Sequence, residues 1–127
     1  MKQGVTFDAG VLIALERRKG RALKVHKRLM ELGVAISVPW VVVVEWWRGR
    51  TDVRETILRT VDVELPSVAL AKLAGVALAR APGGRAMTID AVVMASAALR
   101  GDVVYTTDFD DLERLRAVFP SVRVLAI

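Results

Sequence analysis

Short apolar runs alternate with longer amphipathic or apolar segments along this 127-residue chain. A run of four or five such residues suits a buried strand, and apolar residues spaced three and four apart over a longer segment are typical of a helix. Consecutive parallel strands need a crossover connection, usually a helix, so regular alternation predicts a mostly parallel sheet. The sequence therefore predicts a three-layer α/β/α sandwich with four or five strands, built as a single domain over residues 1–127.

Turn and capping residues set the predicted boundaries. Gly33 can end one helix, Thr88 can cap another, and Pro39 suits the first turn of a third. A break at 81–84, which includes Pro82, separates two strongly apolar helices that we expect in the interior rather than on the surface. The predicted strands are 5–7, 34–38, 61–65, 103–106 and 122–127, and the predicted helices are 11–16, 22–32, 40–48, 52–60, 68–79, 89–100 and 108–118.

Composition excludes several kinds of chemistry. The chain has no cysteine and one histidine, so disulfides, thiolate nucleophiles, zinc-thiolate sites and two-histidine ribonuclease chemistry are excluded. His26 lies at the edge of an apolar helical stripe and receives no catalytic role. A carboxylate at Asp8 comes too early for a signal peptide, and no uncharged apolar run reaches the roughly 18 residues of a membrane span. We therefore expect a cytoplasmic protein without a membrane segment.

Four acidic residues stand where a structural carboxylate is unusual. Asp8 and Asp108 each follow an apolar strand, and the carboxyl ends of parallel strands open onto the same side of a sheet. Glu45 lies between a run of four valines and two tryptophans, and Asp90 is the only charge between Arg85 and Arg100. Burying either carboxylate without a cation would cost several kcal/mol. A metal ion shared by all four acids would supply that cation.

Structural roles remain open for each acid taken alone. Asp8 and Asp108 could be helix N-caps, and Asp90 lies in a first helical turn where the helix dipole favours a negative charge. Arg48, one turn after Glu45, could form an ion pair with it. Asp111, three residues after Asp108, has the spacing of a capping-box partner and is favoured as such over a metal ligand.

Oxygen-only ligands favour Mg²⁺ or Mn²⁺, which use one or two carboxylates directly and keep waters or substrate phosphate in the remaining positions. Such a metal can activate water and neutralise charge developing on a phosphodiester. The sequence contains no glycine-rich nucleotide-binding loop and no G-x-S-x-G elbow, so the chemistries that depend on those motifs are not favoured. Hydrolysis of a nucleic-acid backbone is the reaction that the acids favour.

Positive charge is concentrated in the first half of the chain. Of the 19 Lys and Arg residues, 12 lie within the first 63 positions. The densest group is Arg17, Arg18, Lys19 and Arg21, which could hold phosphates. A merely solvated loop and helix face is the alternative.

The order of the acids resembles a known family. The motifs are Phe7-Asp8-Ala9-Gly10-Val11-Leu12, then Glu45-Trp46-Trp47-Arg48-Gly49 after Pro39, then Asp90-Ala91-Val92-Val93-Met94-Ala95, and finally Tyr105-Thr106-Thr107-Asp108-Phe109-Asp110-Asp111-Leu112. In this order and spacing they resemble a PIN-domain ribonuclease of the VapC toxin type. The resemblance covers nearly the whole chain.

The resemblance implies a magnesium or manganese site formed by Asp8, Glu45, Asp90 and Asp108, which would also carry catalysis, with Asp110 as an additional metal ligand. Thr107 matches a Ser/Thr that precedes the fourth acid, and Thr107 and Arg48 are expected to support the ligating acids. The implied activity is endonucleolytic cleavage of RNA by the toxin of a type II toxin-antitoxin pair. With RNA as the implied substrate, we predict that the basic residues Arg17, Arg18, Lys19 and Arg21 bind RNA. The implied partners are an RNA substrate, a cognate antitoxin protein and a second copy of the chain.

One departure from the family pattern leaves another function open. Many members carry a hydroxyl just after the first acid, where this chain has Ala9 and Gly10. A PIN-like module that binds RNA or protein without catalysis is therefore the alternative. A phosphoaccepting receiver domain would need a late lysine, but the last lysine is Lys72.

Apolar surface is expected at two places. Trp40, Trp46 and Trp47 could form a rim for an antitoxin or for RNA bases, with core packing as the alternative. The helix at 68–79 is apolar nearly all round, which suits either a subunit interface or ordinary burial.

Overall fold

Residues 3–81 and 83–127 are described by a computed structural model, and within them the predicted alternation of strand and helix is confirmed. Pro82, part of the predicted break, and Met1 and Lys2 lie outside the described residues. The strands are β1 (Val5–Phe7), β2 (Ile36–Pro39), β3 (Asp62–Glu64), β4 (Val103–Thr106) and β5 (Val124–Ala126). The helices are α1 (Ala9–Glu16), α2 (Gly20–Glu31), α3 (Trp40–Trp46), α4 (Asp52–Leu58), α5 (Val68–Arg80), α6 (Thr88–Arg100) and α7 (Phe109–Leu115), with a 3₁₀ turn at Gly84–Met87.

The five strands form one parallel sheet in the order β3-β2-β1-β4-β5. β1 lies at the centre, with Val5 opposite Ile36 on one side and Val103 on the other. The chain therefore leaves β1 in one direction and later returns to its other side, which creates a topological switch point between β1 and β4. In open parallel sheets, ligands bind outside the carboxyl ends of the strands at such a point.

Helices cover both faces of the sheet, as the predicted three-layer sandwich requires. α6 packs directly on the central strands and buries Ala91, Val93, Met94, Ala95 and Ala97. Small and medium side chains allow this close approach between helix and sheet, and large side chains from β1 and α1, among them Phe7 and Leu12, fill the rest of the core. α6 is thus held rigidly with its first turn at the carboxyl edge of the sheet.

A buried polar network anchors the other end of α6. Arg100, its last residue, forms ion pairs of 2.9 Å with Glu64 of β3 and with the buried carboxylate of Asp102. The Thr6 hydroxyl donates to Asp102 at 2.9 Å and accepts from Arg100 at 2.8 Å. Every member has a charged partner, which offsets the cost of removing these groups from water.

Some predicted boundaries were wrong. α3 ends at Trp46, so Arg48 follows the helix instead of belonging to it. Pro39 closes β2 and is the residue before α3, and Thr88 is the first residue of α6 rather than its cap. α5 is a surface helix: it buries Leu70, Ala74 and Ala77, whereas Val68 is 70% exposed.

Across residues 3–81 and 83–127, no helix is long and apolar enough to cross a membrane.

Candidate active site

The four acids singled out by the sequence come from four different elements and line one cleft of about 210 Å³. Asp8 directly follows β1, Glu45 is the penultimate residue of α3, Asp90 lies in the first turn of α6, and Asp108 immediately precedes α7. The structure therefore brings together Asp8, Glu45, Asp90 and Asp108 at the switch point of the sheet.

Asp8 is the most buried of the acids, with 7% of its surface exposed. Its carboxylate accepts a hydrogen bond of 3.1 Å from the Val11 amide, so it is the N-cap of α1, and a second bond from the Thr106 hydroxyl. Burial raises the pKa of Asp8, although both hydrogen bonds favour its ionised form. The two bonds fix the direction of the carboxylate, so N-capping and a place in the cleft are compatible.

Thr106 is a site residue that the sequence interpretation missed. It ends β4 and is fully buried, and its hydroxyl also accepts a hydrogen bond of 2.8 Å from the Asp108 amide. One hydroxyl thus links the carboxylate after β1 to the backbone after β4. Strand pairing gave the signal: Phe7 lies opposite Tyr105, so Thr106 lies beside Asp8.

Asp90 has the most perturbed carboxylate of the site. Burial, followed by the negative charges of Asp108, Asp111, Asp8 and Glu45, raises the pKa of Asp90 to about 7. Desolvation and like charges both disfavour the ionised carboxylate, even though the side chain lies at a helix N-terminus. A strongly perturbed carboxyl group in a cleft is typical of a functional site.

Asp111, rather than Asp110, joins the cluster. Ligand oxygens of Asp90, Asp108 and Asp111 all lie within 4.8 Å of one another, a spacing that could hold a metal ion. A hydrogen bond with Asp111 is the main cause of the raised pKa of Asp108, ahead of burial. Asp110 is exposed and is not part of this three-carboxylate group, although its charge contributes to the raised pKa of Asp108. The Asp108 side chain makes no capping bond to α7.

Glu45 is exposed, because α3 buries only Val42 and Trp46, which are one turn apart. The premise that Glu45 is buried was therefore wrong. Arg48 does not pair with it: its guanidinium donates to the carbonyls of Val44 at 3.1 Å and Trp47 at 2.8 Å. Arg48 thus closes the end of α3, and Glu45 lines the acidic cleft without an ion pair to Arg48.

The three tryptophans have different environments. Trp46 is in the core, 2% exposed, and its indole donates to Glu16 at 2.9 Å. Trp40 is 39% exposed and Trp47 is half-buried, with its ring edge against Trp46. An apolar rim is therefore available from Trp40 and Trp47 but not from Trp46.

Thr107 explains why residue 10 carries no side chain. A Cβ placed on Gly10 would lie 1.8 Å from the Thr107 Oγ1, far inside van der Waals contact. Gly10 and Thr107 both line the acidic cleft. The Thr107 side chain, which directly follows β4, therefore occupies the space that a side chain at residue 10 would need.

The predicted RNA-binding cations divide between two surfaces. Arg17, Lys19 and Arg21 line a groove next to the acidic cleft, whereas Arg18 lines a pocket on another side with His26 and Asp52. The His26 ring hydrogen-bonds the Thr60 hydroxyl at 2.9 Å.

Solved structures similar to this one identify the fold. A chain of VapBC2 from Rickettsia felis, bound to a DNA fragment from its promoter, has a TM-score of 0.73 and 11% identity over 97% of this chain and 98% of that chain. DNA-bound VapBC from Salmonella typhimurium gives 0.68 and 17%, with 98% of each chain covered. The chain has the fold of a VapC-type PIN domain. PAE2754 from Pyrobaculum aerophilum shares this fold, with a TM-score of 0.59 and 20% identity over 98% of this chain and 92% of that chain.

No protein-family model matches the sequence, and no curated protein is significantly similar to it. The predicted resemblance and the predicted α/β/α sandwich are confirmed for the PIN fold over nearly the whole chain. At such low sequence identity, the structural similarity establishes the fold but not the activity, which depends on the residues of the site.

Proposed function

We propose that this protein is a divalent-metal-dependent endoribonuclease that acts as the toxin of a type II toxin-antitoxin pair. The observation that carries the proposal is the convergence of Asp8, Glu45, Asp90 and Asp108 on one cleft at the switch point of a PIN fold. Carboxylates at such close range are unfavourable without a cation. Burial first, and then the neighbouring negative charges, raise the pKa of Asp90, and a bound cation would offset both effects.

The donor set fits Mg²⁺ or Mn²⁺. Every candidate ligand is a carboxylate, and hard divalent cations take such ligands while leaving positions for water and phosphate. Asp90, Asp108 and Asp111 offer oxygens within 4.8 Å of one another, and Asp8 and Glu45 line the same cleft. We propose Asp8, Glu45, Asp90 and Asp108 as the principal ligands and catalytic residues, with Asp111 a better-placed fifth acid than Asp110.

A bound cation of this kind would supply charge to neutralise the phosphodiester and lower the pKa of a water molecule. The chain itself prepares the site. The Thr106 hydroxyl and the Val11 amide orient the Asp8 carboxylate, and the Thr107 hydroxyl fills the space above Gly10. Glu45 is exposed and, within the described part of the chain, forms no ion pair, so its carboxylate is available to bind the cation.

The test is cleavage of a panel of structured RNAs by the purified chain, free of any antitoxin, with Mg²⁺, Mn²⁺ or a chelator. Asp90→Asn protein prepared identically is the control for contaminating nuclease. We expect cleavage that requires the metal and is lost in the variant. Equal cleavage by both proteins would be contamination, and RNA binding without cleavage by either would refute the enzyme and favour a binding module.

A non-catalytic module is the less favoured alternative. Its support was the missing hydroxyl at Ala9 and Gly10, but the Thr107 hydroxyl lies where a side chain at residue 10 would point. Thr107 matches a different family position, so the missing hydroxyl still supports this alternative. The four acids that line one cleft are the observation against it.

We also propose a cytoplasmic protein that forms a homodimer and binds an antitoxin. Leu65, which precedes α5, is 74% exposed, and Val68, the first residue of α5, is 70% exposed. This exposed apolar surface suits a subunit interface. Trp40 and Val44 of α3 present a second exposed apolar surface, suited to an antitoxin. Sedimentation of the parent and of Val68→Asp tests the first, since a charge at the contact should give a monomer.

A further inference from the structure

A second concave surface adjoins the acidic cleft. It has a volume of about 490 Å³ and lies between α1, the turn into α2 and the end of β4. Gly10, Ile13 and Thr107 line both this surface and the acidic cleft, so the two are continuous. We name it the basic groove, after Arg17, Lys19 and Arg21, which line it.

The charges of the basic groove are opposite to those of the cleft. Arg17, Lys19 and Arg21 are exposed, and in the stretches 3–81 and 83–127 none of the three forms a salt bridge. α2 also begins at the groove without a side-chain cap and without an acidic residue in its first turn, so the positive end of its dipole adds to the field. A phosphate chain can thus have one phosphate at the acids and the next at the cations.

The turn between α1 and α2 directs neighbouring basic side chains to different surfaces. Arg18 adopts a left-handed conformation with φ of 55°, and the Lys19 amide donates back to Ala14 while the Arg18 amide donates to Leu15. These two bonds form a Schellman motif, which reverses the chain at the helix end. Arg17 and Lys19 consequently face the basic groove, whereas Arg18 lines the separate pocket with His26.

We propose that the basic groove is a nucleotide subsite for single-stranded RNA, adjoining the phosphodiester held in the acidic cleft. Arg17, Lys19 and Arg21 contact the phosphate of the neighbouring nucleotide, and its base packs on the apolar wall of Ile13, Ala14 and Ile127. The volume is within the range of about 300 to 1,000 Å³ of small-molecule sites. This inference rests on the proposed function, because it takes the acidic cleft as the place of the scissile bond.

The test compares single variants that change the charge equally. Arg17→Gln, Lys19→Gln and Arg21→Gln remove groove cations, and Arg18→Gln removes the neighbouring cation that faces elsewhere. Affinity for a labelled five-nucleotide RNA is measured by fluorescence anisotropy at several salt concentrations, on an Asp90→Asn background that prevents cleavage. Thermal unfolding verifies that each variant is folded.

Each groove variant should bind about fivefold more weakly at 0.1 M salt, because one phosphate contact on a single strand contributes a salt slope of about 0.7. The slope of log affinity against log salt concentration should become shallower by about 0.7. Arg18→Gln should lose less than twofold. Losses in the groove variants no larger than in Arg18→Gln would overturn the subsite, as would an equally tight complex with an oligoglutamate peptide, which would point to a protein partner.

Cleavage of RNA by the parent chain separates this inference from the proposed function. Metal-dependent cleavage with undiminished affinity in the groove variants refutes only the subsite. Loss of affinity in the groove variants without any cleavage by the parent refutes the nuclease and retains the groove as an RNA site. Absence of RNA binding by the Asp90→Asn protein refutes the subsite.

Discussion

Replacing Asp90 by asparagine should make the metal-free protein more stable at alkaline pH. The pKa of Asp90 is raised from 3.8 to about 7, which would correspond to roughly 4 kcal/mol if none of the interaction were screened. The side chain is only half-buried, so solvent screening reduces this to about 1 to 2 kcal/mol. Asparagine removes the charge and keeps the shape, and for a chain of this length the gain is a rise in Tm of roughly 4 to 8 °C.

The pH dependence has a definite sign. A carboxyl group whose pKa is higher in the folded chain than in the unfolded chain binds its proton more tightly when folded. The destabilisation by the Asp90 carboxylate is therefore fully present above pH 7, falls as the pH is lowered from about 7 towards 3.8, and is absent below that. The advantage of Asp90→Asn should disappear over the same range.

Thermal unfolding followed by circular dichroism at pH 8.5 and pH 5, in chelator, measures both effects. Asp62→Asn on the exposed strand β3 is the matched control and should change stability by less than about 0.5 kcal/mol. Added Mg²⁺ should reverse the order, because the parent gains about 2.7 kcal/mol at a hundredfold excess over Kd and the variant lacks a ligand. A variant less stable than the parent at pH 8.5 in chelator would refute the argument that burial and neighbouring charges make the Asp90 carboxylate destabilising.

Three further substitutions test other parts of the structure, each by urea unfolding. Arg18→Gly should stabilise the protein by about 0.5 to 1 kcal/mol, because glycine adopts the left-handed conformation at no steric cost; an unchanged midpoint would contradict this. Gly10→Ala should destabilise it by about 1 to 3 kcal/mol through the clash with Thr107, and part of that loss should be recovered with Thr107→Ala. Glu16→Gln should cost about 1 kcal/mol at pH 7, since the hydrogen bond from Arg54 holds the pKa of Glu16 below its usual value; the difference should vanish as the pH falls through that lowered pKa, and a difference that persists at pH 2 would refute the assignment.

The sequence was sufficient to predict that the acids converge. Asp8 and Asp108 follow strands that proved to be parallel neighbours, and the carboxyl ends of parallel strands lie on one edge of the sheet whatever the details of packing. The apolar surroundings of Asp90 likewise indicated the burial that raises its pKa. The fold and the cleft depend on hydrophobic periodicity and on the alternation of strands and helices, both of which can be inferred from a single sequence.

The finer placements depend on backbone geometry that no spacing rule specifies. A single left-handed residue at Arg18 divides the four basic candidates within residues 17–21 between two surfaces. The run of valines before Glu45 suggested burial, but α3 has only seven residues and buries one narrow stripe. Asp111 has the sequence spacing of a capping partner of Asp108. Asp108 makes no side-chain capping bond, and at that spacing the two carboxylates instead lie close to each other.

The position of β1 between β2 and β4 has a consequence for synthesis of the chain. The Asp8 carboxylate is held by Thr106, 98 positions later, and β1 keeps an open edge until β4 has been made. At about 5 to 20 residues per second, a ribosome needs on the order of ten seconds to make that stretch. During this interval a nascent chain contains Asp8 and Glu45 but not the strand that completes their cleft. A translation product that ends just before β4 therefore contains Asp8, Glu45 and Asp90, three of the four acids, and no assembled site.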